Sequence, residues 1–190
     1  EMSKDGKALY VRATKEDPSC QDIYRVDFET GVMKRLTSGE GTYGTPKFSH
    51  DHEKFGASFS SWDQLGELFV VDGGRQQRVT DSHNAEAFWK NIKLKPKLFS
   101  YDNRLGQKIR GFMFLPPGSK KTDKRPMMIY VYGGPLGEGH SVTCGSFNTT
   151  AYLFNMYLSY VLGYVTVTID PRGQSGYGAT FGKANWDRPG

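Results

Sequence analysis

Apolar and polar residues follow two different patterns along the chain, and the change falls near residue 90. Before it, strand-like segments such as Lys7–Val11 and Lys54–Phe59 are separated by turns that contain glycine. After it, Met127–Val131 is apolar or aromatic without a break, which is typical of a strand covered on both faces of a parallel sheet. The pattern predicts a buried strand that stops at the glycine turn Tyr132–Pro135.

The first half of the chain contains an internal repeat. Three pairs of short segments match at shifts of 46, 45 and 43 residues: Ser3–Asp5 with Ser49–Asp51, Tyr24–Asp27 with Phe69–Asp72, and Lys34–Thr37 with Gln77–Thr80. A period of this length with about four short strands is the size of a β-propeller blade. We therefore predict that residues 1–90 are the last blades of a β-propeller whose other blades lie upstream. A small β-sandwich is the alternative.

The second half has the pattern of an α/β domain. Lys97–Tyr101 and Lys108–Leu115 alternate as an antiparallel hairpin, and the strands Met127–Val131 and Tyr164–Ile169 follow. A helix between the last two implies a right-handed crossover and a parallel pair. A hairpin followed by such a unit is the opening of an α/β-hydrolase sheet. We predict that residues 91–190 are the start of an α/β-hydrolase domain, which makes the fold class mixed.

The intervening helix is predicted over Thr150–Leu162. Asn148 and Thr149 can cap its start, and Gly163 suits its end. Its apolar residues recur at helical spacing and form one stripe, as in an amphipathic helix. These residues are Leu153, Phe154, Tyr157, Leu158 and Val161.

Composition and charge exclude several kinds of partner. The net charge is +5, but the basic residues are scattered, and the densest cluster, Lys120–Arg125, falls in a predicted loop. The sequence shows no basic helix beside an aromatic platform, so we expect no nucleic-acid partner. No apolar run approaches the ~20 residues of a membrane span, so none is expected in this segment.

Cysteine and histidine spacing offers no metal or redox site, and no cofactor is expected. Cys20 and Cys144 are far apart in the sequence and fit no such motif. Two unpaired thiols are the favoured interpretation, and a single disulfide is the alternative. His50 and His52 form the one close histidine pair, and we interpret it as part of a polar turn.

At this point the residues resemble one known family, the prolyl oligopeptidase family of serine peptidases, and most closely its dipeptidyl peptidase IV-like branch. The resemblance rests on Ile129–Pro135, on Asp170–Gly178, and on their order after propeller-like repeats and a hairpin. It spans essentially the whole chain. Gln174 departs from the pattern, because the family often has Arg-Gly-Ser in this run.

The resemblance implies a serine peptidase that cleaves short peptides, often after proline, beneath a propeller. It also implies that the hydroxyl of Tyr132 helps to form the oxyanion hole, with Gly133, Gly134 and Pro135 as the supporting loop. Without the resemblance, Tyr132 reads as a packed aromatic at a strand end. A peptide substrate is the implied partner, and the full-length protein is a possible homodimer. The cellular compartment is left open.

No nucleophile, acid or base of the catalytic triad is expected among these residues. The nucleophile elbow of this fold, Gly-x-Ser-x-Gly, follows a fifth strand, and its histidine comes last in the triad. Ser175 does not fit the elbow, because its second glycine comes one residue early, and His140 comes too early in the chain. Asp170 and Arg172 are expected to brace a loop. The 190-residue chain is therefore predicted to be an internal, inactive fragment.

Two other interpretations keep the same fold but change the function. One is a non-catalytic binding protein that has lost the triad. The other is an esterase. The sequence that follows Gly190 would separate the first from a peptidase, and assays on acyl esters against peptides would separate the second.

Overall fold

The computed structural model describes residues 1–81, 94–131, 142–145 and 150–186. In these ranges the chain forms three sheets and two helices. The first sheet contains β1 (Ala8–Ala13), β2 (Asp22–Asp27) and β3 (Met33–Arg35). The second contains β4 (Thr42–Tyr43), β5 (Lys47–Phe48), β6 (Lys54–Ser60), β7 (Glu67–Asp72) and β8 (Arg75–Arg78). The third contains β9 (Lys97–Asp102), β10 (Lys108–Phe114), β11 (Met127–Val131) and β12 (Val165–Asp170), and the helices are α1 (Thr150–Tyr160) and α2 (Ala179–Gly182).

The first two sheets are antiparallel and are built from consecutive strands. The first has the order β1-β2-β3, and the second has the order β4-β6-β7-β8, with β5 also paired to β6. Tight turns join β2 to β3 and β7 to β8, and in them Gly31 and Gly73 have φ angles of 69° and 54°. Glycine reaches this left-handed region at little steric cost, so it suits these hairpins.

The turns that precede β1 and β6 make the same hydrogen bonds. In each, a serine Oγ donates to the aspartate two residues later at 2.6 Å, from Ser3 to Asp5 and from Ser49 to Asp51. The same Oγ accepts the backbone N–H five residues further on, at 2.9 and 3.1 Å. The two matching Ser-x-Asp segments of the sequence therefore form equivalent turns.

A second set of equivalent hydrogen bonds is made by the threonine that follows the last strand of each of the first two sheets. Thr37 donates to the buried carboxylate of Asp22 at 2.8 Å and accepts the N–H of Ile23 at 3.1 Å. Thr80 likewise donates to the buried carboxylate of Glu67 and accepts the N–H of Leu68 at 2.8 Å. In both copies an arginine two residues before the threonine lies within ion-pair distance of the same carboxylate, at 2.8 and 3.4 Å. The repeat thus extends to buried polar contacts.

The third sheet confirms the predicted hairpin and the predicted parallel pair. β9 and β10 are antiparallel, whereas β11 and β12 are parallel and are separated in the chain by α1. The order is β11-β12-β10-β9, with β10 antiparallel to β12. β12 therefore lies between the two strands that precede it in the chain.

The helix α1 is confirmed, but the apolar stripe predicted for it is mostly exposed. Phe154 and Tyr157 are 52% and 51% exposed, and of the five stripe residues Leu158 alone is buried. The helix instead turns Tyr152, Asn155, Met156 and Ser159 inward. Asn155 donates to the Thr168 hydroxyl of β12 at 3.1 Å and accepts from the Thr166 hydroxyl at 3.2 Å. These bonds satisfy polar groups that would otherwise disfavour burial of this face.

The prediction that Met127–Val131 is buried on both faces is wrong for this chain. All five residues are exposed. The reason is the position of β11, which pairs with β12 and is the edge of the sheet within the described residues. Composition predicted the strand correctly, but composition does not report which strands lie beside it.

The favoured interpretation of Cys20 and Cys144 as two unpaired thiols is also wrong. They form a disulfide, with Cα atoms 5.3 Å apart, within the usual range for such a bond. The 124-residue separation gave no hint of this pairing, because proximity arises only when the sheets pack together.

One hydrophobic cluster joins the first two sheets to the third. It includes Cys20 and Trp62 from the first half of the chain, and Phe112, Phe114 and Tyr152 from the second. The Tyr152 hydroxyl donates to the Trp62 carbonyl at 2.7 Å. The two halves therefore share a core in addition to the disulfide.

Candidate functional site

The candidate site lies where the parallel strands β11 and β12 end. Val131 pairs with Ile169, so both strands end at the same edge of the sheet. Tyr132 follows directly in the chain after β11. In open α/β sheets this carboxyl edge is where ligands bind. Tyr132, Gly133, Gly134 and Pro135 lie outside the described residues, so their roles stay predictions.

Asp170, the last residue of β12, connects the segments around this edge. It is fully buried, and its Oδ2 accepts the Tyr177 hydroxyl at 2.8 Å and the backbone N–H of Val142 at 3.0 Å. Val142 belongs to the connection between β11 and α1, and Tyr177 to the segment after β12. One carboxylate thus braces both segments, in agreement with the structural role predicted for Asp170.

The environment keeps the Tyr177 hydroxyl protonated. Burial, followed by the nearby charge of Asp170, raises the pKa of Tyr177 well above its usual range. The group is therefore a permanent hydrogen-bond donor near neutral pH. Sequence reasoning did not single out Tyr177 or Val142. For Tyr177, the available signal was its position near the end of the Asp170–Gly178 motif. No feature of the sequence pointed to Val142.

Arg172 also has the structural contact expected of it. Its Nη1 donates to the carbonyl of Ala184, which ties the segment after β12 to the turn that follows α2. Gly173 lies beside this contact with φ at 97°, and a Cβ added there would meet the Asn185 side chain at 2.3 Å. The turn after β12 therefore depends on both the arginine and the glycine.

An ion pair spans the two halves of the chain beside this edge. Arg110 of β10 lies 3.0 Å from Asp17, which precedes β2. Burial would raise the pKa of Asp17, but hydrogen bonds from Ser19 and the Arg110 guanidinium outweigh it and hold the pKa below its usual range. Both side chains are partly exposed, so the pair contributes little to stability. It links β10 of the third sheet to the connection between β1 and β2.

A cavity of about 260 Å³ opens next to this ion pair. Ser19, Phe99, Arg110 and Val142 are among the residues that line it. A larger cavity, of about 380 Å³, lies away from it between the first two sheets and is lined partly by Tyr10 and Arg25.

Ser175 and the described histidines lie in different turns of the chain. Ser175 is exposed in the turn after β12. His50 lies 3.0 Å from the Lys4 ammonium, and His52 lies 3.3 Å from the Glu1 carboxylate, both at the turn before β6. Among the described residues, no three potential metal ligands come together. Within the same ranges, no helix has the length and apolar character to cross a membrane.

Comparison with known proteins places these features in context. No protein-family model matches the chain. It is 24% identical over 180 residues to the uncharacterized peptidase YuxL of Bacillus subtilis, and 27% identical over 183 residues to dipeptidyl peptidase 4 of Trichophyton equinum. Each match covers 94% of this chain but only 25% and 23% of the relative. The chain resembles the prolyl oligopeptidase family along nearly its whole length. It spans about a quarter of the length of these relatives.

Solved structures agree on the fold. Dipeptidyl peptidase 4 of Porphyromonas gingivalis superposes with a TM-score of 0.78, at 18% identity, over 97% of this chain and 25% of that one. An acylaminoacyl peptidase of Pyrococcus horikoshii gives a TM-score of 0.67, at 21% identity, over 92% of this chain and 25% of that one. The predicted resemblance to this peptidase family is confirmed, and the fold is that of the corresponding quarter of these proteins.

Proposed function

We propose that this chain is part of a serine peptidase of the prolyl oligopeptidase family that hydrolyses short peptides through an acyl-enzyme. Residues 1–90 are the last blades of its β-propeller, and residues 91–190 are the start of its α/β-hydrolase domain. The single observation that carries the proposal is the similarity to dipeptidyl peptidases over about nine-tenths of the chain. The repeated turns before β1 and β6 and the mixed third sheet support the division.

In this proposal, Tyr132 supplies one donor of the oxyanion hole. Acyl transfer places negative charge on the carbonyl oxygen of the substrate, and a donor held in position stabilises that charge. In an α/β-hydrolase, one donor comes from the connection after the third strand, and the other is the backbone N–H after the nucleophile. Among the described strands, β11 is the third of its sheet in chain order, and Tyr132 begins the connection that follows it.

The nucleophile, acid and base of the proposed enzyme lie outside these 190 residues. The isolated chain should therefore not hydrolyse proline-containing chromogenic dipeptides. Inhibitor-sensitive turnover by the purified 190-residue chain would contradict this part of the proposal. The full-length parent should hydrolyse the same substrates.

The decisive experiment is Tyr132→Phe in the full-length parent, with Tyr130→Phe as the matched control. Tyr130 lies on β11 only two residues earlier and is 37% exposed, so the control makes the same chemical change on the same strand. Tyr132→Phe should lower kcat on the order of a hundredfold to a thousandfold, with KM nearly unchanged, because the lost donor acts in the transition state. Tyr130→Phe should leave kcat close to that of the parent.

The substrates used in the same assay separate the alternatives. Turnover of dipeptide substrates in preference to acyl esters supports the peptidase, and the reverse preference identifies an esterase. Peptide binding without turnover of either substrate identifies a non-catalytic binding protein. Equal kcat values for Tyr132→Phe and Tyr130→Phe would remove Tyr132 from the oxyanion hole.

A further inference from the structure

The four described residues between β11 and α1 are held from two sides. Val142 donates to Asp170 of the third sheet. Two residues later, the Cys144 N–H donates to the Ser19 carbonyl of the first half at 2.6 Å, and its sulfur is bonded to Cys20. This short segment therefore contacts the third sheet on one side and the connection from β1 to β2 on the other.

The neighbours of Cys144 fit closely against the second sheet. The Thr143 hydroxyl lies 3.3 Å from the hydroxyl of Thr42 on β4. A Cβ added to Gly145 would lie 2.8 Å from the Ser60 Oγ and 3.0 Å from the Thr42 Cβ. A side chain at this position would therefore force Ser60 and Thr42 to shift. The segment thus follows the surface of the first two sheets closely on both sides of the disulfide.

We propose that the Cys20–Cys144 disulfide is a covalent clamp that holds residues 142–145, within the β11–α1 connection, against the first two sheets. The other described contacts that tie the first sheet to the third are separate and non-covalent, such as the Arg110–Asp17 ion pair and the bond from Thr14 Oγ1 to the Gly176 carbonyl at 2.8 Å. Unlike these contacts, the disulfide is not broken by side-chain motion or by added salt.

The clamp is a permanent structural bond. Cys144 is fully buried and Cys20 is 6% exposed. Exchange requires a thiolate to reach one of the sulfurs, and burial denies it that access. The disulfide forms when two thiols lose two protons and two electrons to a disulfide oxidant, which is reduced to two thiols in turn. The parent protein is therefore inferred to fold where such oxidants act, outside the reducing cytosol.

The clamp also has a consequence that rests on the proposed function. The β11–α1 connection begins at Tyr132, the proposed oxyanion donor, and Cys144 lies twelve residues further along it. Cys20 and Cys144 are therefore positioning residues, which act on the reaction through the connection. A displacement of about 1 Å in a positioning element can cost up to about a hundredfold in rate.

The first test is non-reducing peptide mapping of the full-length parent. The protein is alkylated without reductant and digested with trypsin. The tryptic peptide Glu16–Arg25, which contains Cys20, should be found linked to the peptide that contains Cys144, and it should be released by a dithiol reductant. Separate peptides that carry alkylated Cys20 and Cys144 would overturn the proposal.

The second test compares amide hydrogen exchange in the parent, in the double variant Cys20→Ala/Cys144→Ala, and in Thr14→Val. Thr14→Val is the matched control, because it removes a non-covalent contact between the same two halves. Exchange across residues 142–145 should rise by at least about tenfold in the double variant and stay near the parent rate in the control. Unchanged exchange in the double variant would overturn the clamp. If the double variant does not fold, the parent refolded with a dithiol reductant replaces it.

The kinetic test separates this inference from the proposed function. The double variant should lower kcat of the parent by up to about a hundredfold with a smaller change in KM, whereas Thr14→Val should not. Absence of any peptidase activity in the parent would refute the proposed function. Peptide mapping and hydrogen exchange would still show whether the disulfide holds residues 142–145 in place. A normal kcat in a double variant with fast exchange would refute the positioning role.

Discussion

Replacement of Asp170 by alanine should destabilise the protein more than most single substitutions at its surface. The carboxylate is fully buried and accepts hydrogen bonds from Tyr177 at 2.8 Å and from the N–H of Val142 at 3.0 Å. Alanine removes their shared acceptor, Oδ2, and with it both hydrogen bonds. Val142 is only 2% exposed, so water cannot replace the acceptor for its N–H without local rearrangement.

The magnitude follows from these two contacts. A buried donor left without an acceptor costs about 1–3 kcal/mol, and hydrogen bonds to charged groups lie towards the upper end of that range. Two such donors give a loss of about 3–5 kcal/mol in the free energy of unfolding for Asp170→Ala. Asp170→Asn keeps one carbonyl oxygen as an acceptor, so it should cost about 1–2 kcal/mol. Tyr177→Phe removes one donor and its bond, and should also cost about 1–2 kcal/mol.

Urea denaturation followed by tryptophan fluorescence measures these losses, and a double-mutant cycle tests their cause. The effects of Asp170→Ala and Tyr177→Phe should not add, because each removes the same hydrogen bond, and a coupling energy of about 1–2 kcal/mol is expected. Amide exchange at Val142 should rise in Asp170→Ala but not in Tyr177→Phe. A loss below about 1 kcal/mol for Asp170→Ala, or strict additivity in the cycle, would refute the bracing role.

Two further predictions concern the first half of the chain. Thr37→Val should lower the free energy of unfolding by about 2–3 kcal/mol and Thr80→Val by about 1 kcal/mol. The reason is that the first change removes the acceptor for the N–H of buried Ile23, whereas the second removes the acceptor for the N–H of Leu68, a residue that is 41% exposed. Thermal denaturation measures both losses, and equal losses would contradict the argument from burial. The lowered pKa of Asp17 means that its contribution to stability is present above the unfolded pKa and is lost as the pH falls through the folded pKa. Stability should therefore decline below about pH 4, and Asp17→Asn should reduce the slope of that decline in denaturation curves recorded across this range; an unchanged slope would show that Asp17 does not contribute.

The local elements and the repeat were predictable from the sequence because their causes are local. Ser3–Asp5 and Ser49–Asp51 form equivalent turns because serine and aspartate satisfy backbone and side-chain partners within a few residues. The hairpin of β9 and β10 and the parallel pair of β11 and β12 follow from strand patterns and connection lengths. The peptidase resemblance was carried by two short motifs at the ends of β11 and β12.

The candidate site was predictable only in part. Its place at the ends of two parallel strands follows from the order of elements, and the bracing role of Asp170 follows from its position in a motif. Tyr177, Val142 and the Arg110–Asp17 pair could not be assigned partners, since those partners lie between seven and 93 residues away in the chain. Contacts over such separations are set by packing.

The sequence by itself determined the strands, the helix, the repeat and the family resemblance, because local propensity and short motifs encode them. Only the tertiary structure decided which faces are buried and which distant residues meet. The exposed β11, the inward face of α1 with Asn155 and Ser159, and the disulfide between Cys20 and Cys144 all contradict predictions made from pattern alone. Burial depends on which surfaces pack against a segment, and a disulfide depends on where two distant segments come to lie, so neither property belongs to a local stretch of chain.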